Sequence, residues 1–509
     1  MTTLDTPLNP SDTENIFLND DDSKISEITA SEMEKQRFTK HSALVTLLIM
    51  SIGPLSLIVQ AVGEILDMYM ITQRFKNDPD SHAVEMLGFS GGVGQVYGYI
   101  GMYFGQALTT KISALIGSGN RKSASKIVTD VIYLSVLSAL IFSCAFVFVI
   151  RPFLSFLGTP DYLLSDTFKF IIPGLVMSPL TNLCTVGQYF LQSIGNSIFS
   201  GGVKLACYIL QLGLFSPLFL FAFKVNTTFM KLGSICASMV VGLGLIYLIF
   251  KGKFSLKPDF KNLLGNFSRE TPGALLSAFP LIVAFFAFFL PPTLILQSLT
   301  SNDKVHSKEI GGVFAVFTNL NTFNQAIPGA FVQGFLSAGT HAWGANDPVR
   351  CVKLFLWTLA FIFPLLFIVS VTVIPGKTVI AKAFLDDAKE IEIAEKLLPI
   401  PFYTSPLNGI TVLLSMTMIV VGKPLLAFIP QLLQVLILTI GCKILSSAYK
   451  SDPTKIMYIY NINDITVFVI SLALLVIPVL QVRKKIKSND ITPYEDANDL
   501  NSPIFIDSK

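Results

Sequence analysis

Between residues 42 and 482 the chain reads as long apolar runs separated by short punctuation of glycine, proline and polar residues. A membrane-crossing helix needs roughly 20 mostly apolar residues, and only a helix or a closed barrel satisfies its own backbone in hydrocarbon. The punctuation predicts twelve helices. Six fall at 42–72, 83–117, 124–157, 164–192, 199–224 and 229–250, and six at 272–298, 309–342, 349–376, 393–421, 423–447 and 461–482. The expected fold class is an all-α polytopic membrane protein.

The two sets repeat each other. Gln106 and Gln333 lie 227 residues apart, as do Gly195 and Gly422, Gly117 and Gly344, and the Ser-Pro-Leu triplets starting at Ser178 and Ser405. Pro54 and Pro280 fall one residue short of that offset. Breakers that match in order at one offset indicate duplication, and duplicated bundles about a central site are the plan of secondary transporters. The chain then divides into an acidic tail (1–41), a first lobe (42–250), a basic linker (251–271), a second lobe (272–482) and a C-terminal tail (483–509).

Composition narrows the function. Only 14% of residues are charged, where soluble domains average about a quarter, and the net charge of +3 leaves no footprint for nucleic acid. Cysteines 144, 184, 207, 236, 351 and 442 show no CxxC spacing, and the four histidines no ligand spacing. No disulfide framework, zinc site or nucleophile–base constellation is indicated, so neither an enzyme nor a cofactor is expected. The tails lack the apolar core of a cleavable signal and read as disordered, either plain or carrying trafficking motifs.

Basic residues set the orientation. Lys35, Arg37 and Lys40 precede the first span, and Arg121, Lys122 and Lys126 follow the second. Lys251, Lys253, Lys257, Lys261 and Arg269 crowd the linker, and Arg483, Lys484, Lys485 and Lys487 follow the last span. The positive-inside rule places both tails in the cytoplasm, against a counter-signal from Lys377, Lys382, Lys389 and Lys396 after the ninth span. Asn226-Thr-Thr is a glycosylation acceptor in a loop expected outside. The linker's lysines alternate with Phe254, Leu256, Phe260, Leu263 and Leu264, so it reads as a solvated connector or as a helix on anionic lipid.

A charge at a helix centre costs roughly 2.5–3.5 kcal/mol on insertion scales, so intramembrane polar residues need a reason. Gln60, Glu64 and Asp67 are spaced four and three apart and share one face of the first span. Two carboxylates one turn apart in low dielectric do not easily both ionise, which makes them a candidate proton or sodium site. The alternative is that both lie near the outer edge and reach water. Gly53-Pro54 is a candidate hinge upstream, and Arg74 and Lys76 follow in the next loop. The fifth span brings Gln211 and Ser216 to the same level, while Lys204 reads as snorkelling inward, too far along to pair with Glu64. The seventh, eighth and tenth spans carry no interior carboxylate. The eighth offers Asn319, Asn321, Asn324, Gln325 and Gln333, which with Gln106 and Tyr103 form the candidate substrate-binding set.

The order of these segments resembles the multidrug and toxic compound extrusion (MATE) family, most of all its divergent members from single-celled eukaryotes. The likeness spans about 42–482 and is carried by GPLSLIVQAVGEILDMYMI, GQALTTKISALIGSGNRKSASK, FLGTPDYLLSDTFKFIIPGL, QSIGNSIFSGGVK and GAFVQGFLSAGTHAWGANDPVRC. It implies two pseudo-symmetric six-helix lobes around a cleft, exporting organic cations, drugs or metabolites in exchange for a proton or sodium, with no other cofactor. It also implies that Asp67 stands at the family's first-helix aspartate of the coupling site. Ser216 precedes Pro217 where many prokaryotic members have an aspartate, and the acids other members use in helices 7, 8 and 10 are missing. Asp67 and Glu64 would then act with fewer partners. The expectation is a monomer in the plasma membrane or an internal membrane. Two competitors remain: a carrier of lipid-linked or anionic metabolites, disfavoured because the buried bases are few (Lys111, Lys169), and a non-transporting scaffold or receptor.

Overall fold

The computed structural model describes residues 36–75, 83–156, 159, 161–254, 256–258, 267–302, 306–385, 388–450 and 452–488, and every regular element among them is helical. Phe260, Leu263, Leu264, Lys35, Lys76, Lys261 and most of both tails lie outside the described residues. Twelve helical spans follow in order. In the first half, α1 runs Ala43–Ile52 and resumes Ser56–Phe75, α2 is Ala83–Gly117, α3 Arg121–Phe156 and α4 Asp161–Ser193. Then α5 is Ser197–Leu210, prolonged by two π-helical turns at Gln211–Phe215 and Leu218–Ala222, and α6 is Leu232–Phe250. In the second half, α7 is Thr271–Asn302, α8 Ser307–Gly344 and α9 Pro348–Phe384. After these, α10 combines Ala388–Leu397, Pro399–Phe402 and Ser405–Val420, α11 is Pro424–Ala448, and α12 is Tyr458–Leu474 continued by Val476–Ser488.

Breaks fall where the chemistry demands them. The α1 ladder opens at Gly53-Pro54-Leu55, because proline has no N–H to donate and its ring displaces the preceding turn. The π turns of α5 flank Ser216-Pro217 for the same reason. Lys377 and Lys382 are not in a loop but inside α9, and Lys389 and Lys396 belong to α10. At 37 residues α9 is about 55 Å long, well beyond a ~30 Å hydrocarbon core, so it leaves the membrane still helical.

Ten of the described spans are long and apolar enough to cross a bilayer on composition alone. The two that fall short, α2 and α8, pack against each other between the lobes. The packing does not follow the chain's halves strictly. Ala43, Leu47 and Met50 at the start of α1 sit in the second lobe's core with Phe335, Leu354 and Ile419. Conversely, Ala274 and Ala278 of α7 join Leu108, Ile112 and Phe190 in the first lobe.

At the end of the bundle marked by Arg121 and the linker, the lobes are locked together. A Cβ on Gly117 would overlap the His341 carbonyl, and one on Gly344 the Ala114 carbonyl, so α2 and α8 meet backbone to backbone there. Ser337 donates to the Gln192 carbonyl at 2.9 Å, and the Gln192 amide donates to the Met50 carbonyl at 2.6 Å. Arg350 donates to the His41 carbonyl and to the Thr46 hydroxyl at 2.8 and 2.9 Å, and Phe38 stacks on His341.

Candidate functional site

Beyond that lock, inside the first lobe, lies a cavity of about 340 Å³. Helical spacing places its walls: Leu57, Gln60 and Glu64 on one face of α1, and Ser200, Lys204 and Tyr208 on one face of α5. Tyr97, Tyr99 and Met102 of α2, Asn182, Gln188 and Tyr189 of α4, and Ser234 and Ser238 of α6 complete it. Gln333 is its contribution from the second lobe, and Gly53, Pro54 and Gln192 line it next to the inter-lobe hydrogen bonds. The glycines of these helices make room for its aromatics. A Cβ at Gly63 would lie 2.6 Å from the Tyr208 ring, and one at Gly105 or Gly174 would overlap Tyr189 or Tyr97.

The two acids of α1 have different fates. Glu64 is exposed in the cavity wall and accepts one hydrogen bond from Gln60, at 2.9 Å. Asp67 is buried, 1% exposed, and Lys231 approaches its Oδ2 to 3.0 Å while the Ser216 hydroxyl donates to its Oδ1 at 2.8 Å. Lys231 sits at the start of α6, and the neighbouring Gly233 presses so closely on Ser216 that a Cβ there would overlap the hydroxyl. Ser216 itself is aimed by the π turns of α5. The pair of carboxylates expected to share a proton is therefore one ion-paired acid and one solvated acid.

Lys204 also lies elsewhere than expected. It does not leave for the headgroups but lines the cavity together with Glu64, its Nζ 5.9 Å from the Tyr208 ring centre. Arg74, expected in the loop, is helical and donates to the Leu220 carbonyl at 3.0 Å. Gln211 is buried one turn before Ser216, and Asn226 is exposed between α5 and α6.

The neutral side chains of α8 divide. Gln333 reaches the cavity; Asn319, Asn321, Asn324 and Gln325 are not in its wall. Asn324 accepts from Ser405 at 2.9 Å, and Gln325 donates to Asn408 at 3.2 Å. Asn408 in turn donates to Asp464, a buried carboxylate of α12 that also receives Thr404 at 2.7 Å and Asn463 at 3.2 Å. Gln106 contacts Met416 and Tyr103 donates to the Leu275 carbonyl at 2.9 Å, so both fasten α2 to the second lobe. Lys231 and Asp464 escape the sequence reasoning. Their signal was present, since each is the lone charge in its stretch: Lys231 between Lys224 and Lys251, Asp464 between Lys455 and Arg483.

Two duplicated helical lobes that share a closed end, with a polar cavity beside a buried ion pair, are the architecture of a membrane transporter. The chain belongs to the MatE family, whose model matches residues 54–216 and 280–445, one stretch in each lobe. Solved structures share the fold. A MATE in complex with MaL6 aligns with TM-score 0.77 at 13% identity, over 89% of this chain and 99% of that one. A MOP superfamily transporter from Pyrococcus furiosus, whose reversed binding-pocket polarity is held to suggest a different function, gives 0.75 at 13% over 89% and 98%. The Vibrio cholerae MATE transporter VcmN gives 0.70 at 16% over 91% and 99%. None of the curated proteins compared with the chain matches it.

Proposed function

We propose that this protein is a secondary antiporter that exports organic cations, drugs or metabolites in exchange for protons or sodium, with both tails cytoplasmic. The observation that carries the reading is the Asp67–Lys231–Ser216 contact placed beside the cavity that holds Glu64. Lys231 lines a small pocket that shares Tyr97, Gly174 and Ile235 with the main cavity. A cation or proton arriving at Asp67 competes with Lys231 and frees its ammonium at the cavity margin. The added positive potential lowers the affinity for a bound cation and favours its release. Return of the empty carrier and loss of the ion restore the pair. The cycle requires that the ion bind the two states with different affinity. With both tails cytoplasmic, the end closed by the lock of α2 against α8 is the cytoplasmic one.

A second reading, a carrier of lipid-linked or anionic metabolites, draws support from one observation, the Lys204 ammonium in the cavity wall. The test is efflux of a fluorescent organic cation from proteoliposomes under separately imposed proton and sodium gradients, for the natural protein and for Asp67→Asn. Efflux driven by one gradient and reduced about tenfold or more in the variant supports coupling at Asp67. Gradient-driven efflux that survives the substitution removes Asp67 from the coupling site, and no efflux of any cation shifts the reading to the anionic substrate.

A further inference from the structure

The transport cycle makes no use of the cysteines, yet the fold brings two of them together. Cys184 of α4 and Cys207 of α5 lie 23 residues apart in the sequence, without the CxxC spacing of a metal motif. In the structure both are buried, 4% and 6% exposed, and their thiols meet in a side-chain hydrogen bond. The Gln188 amide donates to the Cys184 sulfur at 3.3 Å, and the Ser238 hydroxyl stands 3.7 Å from the Cys207 sulfur. A Cβ on Gly242 would lie 2.7 Å from the Cys184 amide nitrogen, so α6 closes the pair from behind. Gln188 and Ser238 both line the cavity. The two sulfurs therefore sit one side chain behind its wall.

We infer that Cys184 and Cys207 form a binding site for one soft monovalent metal ion of the Cu(I) class, held between the two sulfurs. Thiolate sulfur selects soft ions over hard ones, and Cu(I) is satisfied by two sulfurs in line. Zinc is not, because its protein sites supply three or four ligands. Among the described residues no three His, Cys, Asp or Glu side chains cluster. As the ion binds, each thiol gives its proton to solvent and its sulfur forms a bond to the metal, with no change of oxidation state. Two thiolates around one monovalent cation carry a net charge of minus one, which a buried site must offset. Lys204 is placed for that. It precedes Cys207 by one helical turn, and its charge acts on both sulfurs. The site gives this ammonium, otherwise unexplained in an apolar helix, a partner.

The experiment uses the full-length protein, purified in detergent and kept reduced without oxygen. Cu(I) is titrated against bathocuproine disulfonate, a coloured chelator that competes for the ion. The expected result is one tightly held Cu(I) per chain, with two sulfur neighbours by X-ray absorption. In the natural protein the bound ion should also protect Cys184 and Cys207 from alkylation, read by peptide mass spectrometry, a result that depends on no substitution. Loss of either sulfur, in Cys184→Ser or Cys207→Ser, should weaken binding by about a hundredfold or more, and Lys204→Met by about tenfold. Cys351→Ser, which removes a buried thiol of the second lobe, should change nothing. Retention no stronger than the chelator's, binding that survives both serine variants, or alkylation of the two thiols undiminished by Cu(I) overturns the inference. Zinc held as tightly as Cu(I) overturns it too, because two ligands do not suffice for zinc. Thermal unfolding of each variant separates a lost ligand from a lost fold.

Discussion

Among the buried carboxylates, Asp67 of the first lobe and Asp464 of the second are held by opposite means; Asp130, buried in the first lobe, takes neutral donors from Ser268 and Thr271 as Asp464 does from its own neighbours. Asp67 in the first lobe faces an ammonium and one hydroxyl; Asp464 in the second faces only neutral donors, from Thr404, Asn408 and Asn463. The difference separates a contact that can be exchanged from one that is fixed. Lys231 lies at the junction of a loop and α6, its side chain about one-third exposed at 34%, so its ammonium stays within reach of solvent. The donors around Asp464 are themselves engaged, Asn408 with Gln325, and they tie α8, α10 and α12 into one unit. A rocking lobe needs such a unit as much as it needs a movable charge.

The comparison is most sharply tested by removing the cation. Lys231→Met leaves Asp67 buried and uncompensated, and the expected cost is about 3–5 kcal/mol, nearer the lower figure because Lys231 is partly exposed. The paired variant Asp67→Asn, Lys231→Met should recover most of that loss in thermal unfolding. A single variant as stable as the natural protein would show that the ion pair holds nothing.

A smaller loss, about 1–3 kcal/mol, is expected for Asp464→Asn, where an amide donor is forced against donors that previously met an acceptor. Its gradient-driven efflux should stay within a few-fold of the natural protein once stability is matched. Abolished efflux in a folded Asp464→Asn variant would make the second lobe an active partner and erase the contrast.

Between the lobes, Gly344→Ala places a methyl on the Ala114 carbonyl and should destabilise the closed end of the bundle by about 1–3 kcal/mol. Faster labelling of a cysteine engineered at Ser337 would report that opening; an unchanged rate would deny that the glycine contact closes it. The smallest effect belongs to Asn226→Gln, which should abolish a glycosidase-sensitive mobility shift in a glycosylating host while leaving efflux intact. Absence of any shift in the natural protein would count against placing that loop outside.

Much of the fold was legible because the bilayer imposes a length and an apolar character on each span, and because proline and glycine act locally. The twelve helices, the break at Gly53-Pro54 and the repeat follow from residues near one another in sequence. The candidate site was legible in part. Asp67, Glu64, Gln60 and Ser216 stand out as polar groups in apolar runs, and helical spacing puts the first three on one face.

What sequence could not supply were the partners. Lys231 meets Asp67 from 164 residues away, Lys204 and Glu64 share a cavity wall across two helices, and Asn324 and Gln325 turn toward the Asp464 cluster instead of the cavity. A helix's periodicity gives the direction of its side chains relative to one another but not the rotation of the helix in its bundle. That rotation is set by close packing, here by glycines that admit Tyr208, Ser216 and the α2–α8 crossing. The sequence alone determined twelve spans, their duplication and which residues carry charge. Only the tertiary structure decided which charges pair with each other and which line the cavity.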